Sequence, residues 1–437
     1  METIFNHRLA NALVFFLATI SFQPKIFATF SKLDAYQMLQ KSSLKWKLND
    51  SLTEDAEIKN LIAESGLRPK IALAAKQYYA KINPISYGQK DDQTVDQVAF
   101  GTTGLEMTWT LIDPVAKAEG FLTKSLLDSS RQQVIQNRND LTALMLFQYL
   151  NVQRIGRQLL ALDANIEKSK LILRLAQARQ KVGAGIPLDV ARAKNLFELD
   201  RLKKISAFNK YLKAKHALTT LLGEEKEKEA LEPLMAKKLD KVVIASFTKE
   251  AFANRADLKS AEFNVKASQE AVKQTDTLLF PKLAVLAEIG TTQATALGLP
   301  AKTATGLVGV SLTIPLETGG FITAKKREAV SMLSKSQLQL KETQLEVLSQ
   351  SKEALEQILS AEEALDASED YVKTVEEEAS IAEKRFSQGS SNILDYTSSH
   401  TNLSNAQDTL TESIYNYELA KINFYKTKGS FDGYFSM

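Results

Sequence analysis

Arg179-Gln-Lys-Val-Gly183 and Arg385-Phe-Ser-Gln-Gly389 lie 206 residues apart (389 − 183), and the register then runs on without a gap. It pairs Ala176 with Ala382, Leu188 with Leu394, Asp189 with Asp395, Tyr211 with Tyr417, Ala214 with Ala420, Lys215 with Lys421 and Gly223 with Gly429. Earlier landmarks recur at nearly the same distance: Pro69-Lys70 with Pro281-Lys282, and Gly104-Leu-Glu-Met-Thr108 with Gly309-Val-Ser-Leu-Thr313. A plan written twice has to fold as two related units, and its period is far too long for a solenoid repeat.

Each copy carries heptad stripes. In the first, Leu127, Val134, Leu141, Ile155, Leu162 and Ala176 share one position, and Met145, Val152, Leu159, Ile166 and Leu173 share another. In the second, Leu333, Leu340, Val347, Ala354, Ala361, Ser368, Val375 and Ala382 share one, and Ile358, Leu365, Val372, Ala379 and Phe386 the other. Such stripes specify helices packed along a seam. At ~1.5 Å per residue, a helix of roughly 70 residues is about 100 Å long. The stripes turn from large to small residues towards their C-terminal ends, so neighbouring helices are expected to draw closer and the bundle to narrow there.

A fibrous coiled coil would show the same stripes, and the strands separate the two readings. Leu105, Met107, Trp109 and Leu111 alternate with Glu106, Thr108 and Thr110, while Val308, Val310, Leu312 and Ile314 alternate with Gly309, Ser311 and Thr313. Together with Ile71 to Ile82 and Leu283 to Gly290 they make two hairpins, too few for a sandwich but suited to a barrel shared between chains. Tyr78, Tyr79, Tyr87, Phe100 and Phe280 near strand ends fit a lipid interface. Residues Lys81 to Ala99 and Thr291 to Thr305 are expected as long water-facing loops.

The N-terminus places His7 and Arg8 before an apolar core from Ala12 to Ile20, then Ala28, the order of a signal peptide cleaved near Ala28. That core is well short of the ~18 to 20 residues that span a bilayer, so any membrane crossing is by strands. The chain therefore divides into a signal peptide (1–28), a first repeat (29–223), an inter-repeat equatorial segment (224–246), a second repeat (247–429) and a C-terminal tail (430–437). The first repeat has strands at about 70–82 and 105–112 and long helices at about 114–182 and 187–222. The second has strands at about 282–290 and 306–314 and long helices at about 317–388 and 392–428.

Composition enters mainly by exclusion. The 55 basic residues nearly cancel the 52 acidic ones, which leaves no electrostatic footprint for nucleic acid. With no cysteine there is no disulfide, thiolate site or cysteine nucleophile. His7, His216 and His400 have neither ligand nor triad spacing, and the latter two are expected on helix surfaces. No catalytic set and no cofactor motif is present, so the chain does not read as an enzyme.

The order of Arg179-Gln-Lys-Val-Gly-Ala-Gly-Ile-Pro-Leu-Asp-Val190, Asn254-Arg-Ala-Asp-Leu258, Phe280-Pro-Lys-Leu283, Ser311-Leu-Thr-Ile-Pro-Leu316 with Gly319-Gly320, and Arg385-Phe-Ser-Gln-Gly389 before Ile393-Leu394-Asp395 resembles the TolC family of outer-membrane efflux proteins. The likeness covers about residues 30 to 429. It implies a mainly α fold with a membrane β-barrel: a homotrimeric helical tunnel, periplasmic, continuous with a barrel of four strands per chain in the outer membrane. It also implies a passive exit duct for efflux or type I secretion, working with a periplasmic adaptor (membrane fusion) protein and an inner-membrane transporter.

By the same resemblance the helix-turn-helix tips meet the adaptor, through Arg179, Gly183, Gly185, Pro187, Arg385, Gly389 and Ser390. Asp189 and Asp395 match carboxylates near the closed end of family members, making them, with Ser391, Ser398 and Phe386, the candidate tunnel constriction. Ser391 stands where an arginine often latches the tip, Ser398 replaces an acidic residue and Phe386 a tyrosine, so the gate is expected to differ and its latch to be weaker. Helix capping alone would also account for Gly183, Gly389 and the two aspartates. A structural coiled-coil envelope protein or an adaptor without a pore is the competing reading.

Overall fold

The computed structural model describes residues 29–80, 98–223, 231–239, 247–296, 299–316 and 318–435. The expected signal peptide, residues 81–97 with Tyr87, and most of the inter-repeat segment lie outside the described residues. In chain order the elements are α1 (Lys32–Ser42), α2 (Leu44–Ser65), β1 (Lys70–Ala80), β2 (Val98–Ile112), α3 (Pro114–Lys181) and α4 (Pro187–Leu222). Then follow α5 (Phe247–Asn254), α6 (Ala256–Thr277), β3 (Lys282–Ala296), β4 (Leu299–Thr313), α7 (Phe321–Gln388), α8 (Ile393–Lys428) and α9 (Asp432–Phe435).

The duplication is visible in the lengths: α3 and α7 have 68 residues each, α4 and α8 have 36 each. Their starts are made differently. Asp113 accepts hydrogen bonds from the Val115 and Ala116 amides and Pro114 occupies the first turn of α3, whose missing N–H costs nothing there. The second long helix starts at Phe321 rather than near 317, because Gly319 and Gly320 take left-handed φ values of 61° and 81° that a helix cannot contain.

The seam residues are buried as the heptads require. Val134, Met145, Val152, Ile155, Leu162 and Ala176 are closed off along α3, and Val347, Ala354, Ile358, Leu365, Val372, Val375 and Phe386 along α7. α3 sits inside the bundle, packed against α2, α4, α6 and α8, whereas α7 lies at its margin against α5, α6 and α8. About half-way along α3, Tyr149 meets a cluster containing Leu39, Trp46, Phe247, Tyr417, Phe424 and Tyr434, with Phe247 and Phe424 stacked at 4.0 Å. This waist is where α1, α5 and α9 join the long helices.

The four strands form one antiparallel sheet in the order β1-β2-β3-β4. Strands β2, β3 and β4, of 15 residues each, run well beyond their expected ends, and the expected loop from Thr291 to Thr305 is largely strand. Its threonines favour extended backbone but, with alanine and glycine between them, lack the apolar alternation by which strands are recognised. Pro300 stands second in β4, at the start of the strand. At the centre Gly104 faces Gly290; a Cβ on either would collide with the carbonyl oxygen of Ile289 or Thr103, so this crossing requires glycine.

Candidate functional site

Two regions carry chemistry, at opposite ends of the long helices. At the sheet end, the register aligns Ile71, Leu73, Leu105, Met107, Trp109, Val285, Ile289, Val308, Val310 and Leu312 on one face. The other face holds Lys76, Thr102, Glu106, Thr108 and Glu288, with Lys76 and Glu106 ion-paired across strands. On the apolar face Leu73 is 77% and Val308 80% exposed, so nothing among the described residues covers them. Tyr78, Tyr79 and Phe280 are exposed near strand ends. No helix among the described residues is long and apolar enough to cross a membrane.

At the far end the helices turn twice with the same backbone. In the first turn the Ala184 amide donates to the Arg179 carbonyl and Gly183 to Gln180; in the second Ser390 donates to Arg385 and Gly389 to Phe386. This is the Schellman closure, and it needs the left-handed φ of 74° at Gly183 and 81° at Gly389. Between the turns lies a cleft of about 660 Å³ lined by Arg179, Gly185, Asp189, Gly389, Ser390 and Ser391 among others. Gly183, Pro187, Arg385 and Ser390 are exposed beside it.

The two arginines part company here. Arg179 crosses to the second hairpin, donating to the carbonyls of Phe386 and Ser387 and lying 4.7 Å above the Phe386 ring. Its charge therefore meets the C-terminal carbonyls of α7, where the helix dipole favours a cation. Arg385 is exposed.

The candidate constriction residues are distributed unevenly. Asp395 is exposed in the first turn of α8, where its amide is capped by the Asn392 side chain and its carboxylate accepts the Ser391 hydroxyl at 2.7 Å. Ser398 is exposed on the same helix, and Asp189 is half-buried in the cleft. Phe386 is buried: at 2% exposure its ring fills the hairpin core with Ile172, Ala176, Ala193, Leu196, Ile393 and Tyr396.

His400, expected on a helix surface, is buried, its Nε2 3.2 Å from Oδ2 of Asp200, with side chains 3% and 2% exposed. Tyr396 stacks on the imidazole, and burial, with Glu383 and Asp200 nearby, pushes the Tyr396 hydroxyl well above the usual phenol range. The signal was present in spacing: Ile393, Tyr396, His400 and Leu403 share one face of α8, and Ala193, Leu196, Asp200 and Ala207 share one of α4.

The outer membrane efflux protein family model matches residues 62–224 and 248–430. The outer membrane efflux protein BepC of Brucella suis is 26% identical over 287 residues, a match that covers 62% of this chain and 59% of the relative's length. Two solved structures share the fold. The CmeC outer membrane channel of Campylobacter jejuni has a TM-score of 0.78 at 18% identity, covering 91% of this chain and 85% of the other. The open state of the MtrE outer membrane channel of Neisseria gonorrhoeae has a TM-score of 0.77 at 16% identity, covering 91% and 89%. The chain belongs to the outer membrane efflux protein family.

Proposed function

We propose that three copies close a twelve-strand barrel in the outer membrane and continue it as a helical tunnel through the periplasm. The observation that carries this is a single sheet with one apolar face and two edge strands, β1 and β4, that each pair with one neighbour among the described residues. Four strands are too few to enclose a lumen, since even ~8 leave room only for side chains. Pairing β4 of one copy with β1 of the next would remove both edges and lay the apolar face against lipid.

In this reading the protein is the passive exit duct of a tripartite efflux or type I secretion system. The cleft with Arg179, Gly183, Gly185, Pro187, Arg385, Gly389 and Ser390 receives a periplasmic adaptor coupled to an inner-membrane transporter. Asp189 and Asp395, with Ser391 and Ser398, surround the narrow end, and Phe386 supports it from within. Residues 1–28 are removed on export, and after α8 the chain packs Phe431 and Tyr434 into the waist. The similarity to an efflux protein of Brucella suis supports efflux.

Detergent-extracted protein is expected to be trimeric and to conduct ions in planar bilayers, with a mature N-terminus near Thr29 by Edman sequencing. Val310→Arg should impair insertion, since an arginine at the lipid face costs ~2 to 4 kcal/mol near the membrane midplane. A stable inserted monomer, or a trimer that conducts nothing, would return the chain to a structural envelope role.

A further inference from the structure

Four aromatic or charged contacts run end to end through the tip. Arg179 of α3 lies over Phe386 of α7; Phe386 lies 5.8 Å from Tyr396 of α8. Tyr396 stacks on His400 at 5.8 Å and 22°, and His400 meets Asp200 of α4 at 3.2 Å. The path visits all four tip helices and crosses between the hairpins twice, at Arg179 and at His400. Counted from the helix starts, the second crossing lies roughly 10 to 20 Å from the turns.

Other side chains also bridge the hairpins higher up: Gln158 reaches Asp408 at 3.2 Å and Asn165 reaches Ser404 at 3.4 Å. Among the described residues along this seam below the waist, His400–Asp200 is the bridge in which both side chains are ionisable and shut off from water. The repeat does not explain it. At the 206-residue offset Asp200 corresponds to Ala406 and His400 to Lys194, so no mirror-image pair exists. Two buried polar groups that hold each other are costly to separate, because each then loses its partner without gaining solvent.

We propose that Arg179 and the His400–Asp200 pair are positioning residues for the constriction, two pins that make both hairpins move as one body. Asp395 lies five residues before His400 on α8, so the pin fixes the segment that carries this carboxylate. Widening the tip then requires both hairpins to swing together, or the pins to part. This rests on the channel reading, but its mechanical part is measurable without conductance.

Because the chain has no cysteine, cysteines introduced at the exposed positions Lys194 and Leu394 give one clean pair of spin labels per chain. In full-length trimer, double electron-electron resonance is expected to give a narrow distance distribution for that pair. Asp200→Ala with His400→Ala should broaden it and raise single-channel conductance at least about threefold. Asp200→Asn with His400→Gln, which keeps a hydrogen-bonded pair, should restore the narrow distribution and low conductance.

An alanine pair that changes neither readout, or a conservative pair that behaves like it, overturns the proposal. If the alanine pair does not assemble, Arg179→Gln carries the same test at the cleft rim, with broadening expected and no change overturning it. A wild-type trimer that conducts nothing would sink the channel reading and leave the distance measurement to judge the pins.

Discussion

The two tip turns close through left-handed glycines of similar φ, 74° and 81°, and put them to opposite uses. The first is outward-looking: Val182 and Ile186 are 78% and 55% exposed, and Pro187 opens α4 without a side-chain cap. The second is knitted into itself, with Ile393 fully buried, Asn392 capping α8 and Ser391 bonded to Asp395. The first hairpin supplies the reaching groups, Arg179 and Asp200; the second supplies what they reach, the end carbonyls of α7 and His400. Duplication gave two equal hinges, and divergence of side chains made one a surface and the other a socket.

Substitution at equivalent positions tests this contrast most severely at Ile393 and Pro187. Ile393→Asp loses a buried side chain and buries a charge, so the tip should be destabilised by roughly 3 to 5 kcal/mol. Pro187→Asp should change stability by less than about 0.5 kcal/mol. Chemical denaturation of detergent-solubilised protein compares them, and equal losses would erase the distinction. Gly183→Ala and Gly389→Ala should instead cost the same, about 1 to 2 kcal/mol each, since both require a left-handed residue and neither Cβ meets an atom closer than 3.6 Å. Unequal costs would mean that the turns are less alike than their hydrogen bonds.

Smaller effects sharpen the comparison. Arg179→Ala should cost about 1 kcal/mol through the lost carbonyl and ring contacts, and Arg385→Ala within about 0.5 kcal/mol. Limited proteolysis around Ser387 reads the difference: faster cleavage is expected in the first variant alone. Asp395→Asn should cost about 0.3 to 1 kcal/mol through the helix dipole. Its clearer signature is reduced cation selectivity and weaker block by multivalent cations, with trimer yield unchanged. Loss of trimer at unaltered selectivity would assign the residue to helix capping instead.

What the sequence makes legible here is periodic and local. The long helices announce themselves because their heptads run for many turns, and the tips because a Schellman closure needs glycine at one position. The outer halves of β2, β3 and β4 escape a reading by pattern where Thr, Ala and Gly replace the apolar alternation, since extended backbone held by a neighbouring strand needs no such pattern. His400 reads as a surface residue because a lone polar side chain in a helix is usually solvated. Its partner lies 200 residues away, and only the folded chain shows that two apolar stripes each carry one polar member at the same height. The hydrogen bonds of Arg179 to the second hairpin are likewise out of reach of the sequence, because its acceptors are backbone carbonyls more than 200 residues away.

The unequal placement of α3 and α7 bears on how such a chain comes to exist at all. α3 packs against more helices of its own chain than α7 does, and α7 holds Val330, Leu338 and Leu345 at 48%, 62% and 68% exposure. In the proposed trimer most of α3 is covered in a first-order event, whereas covering α7 is second-order and waits on an encounter. A newly exported chain spends that wait with a greasy ridge in water, and dilution lengthens the wait. Its yield is then a race between meeting its own kind and meeting a protease, decided by the rate of export as much as by the stability of the finished assembly.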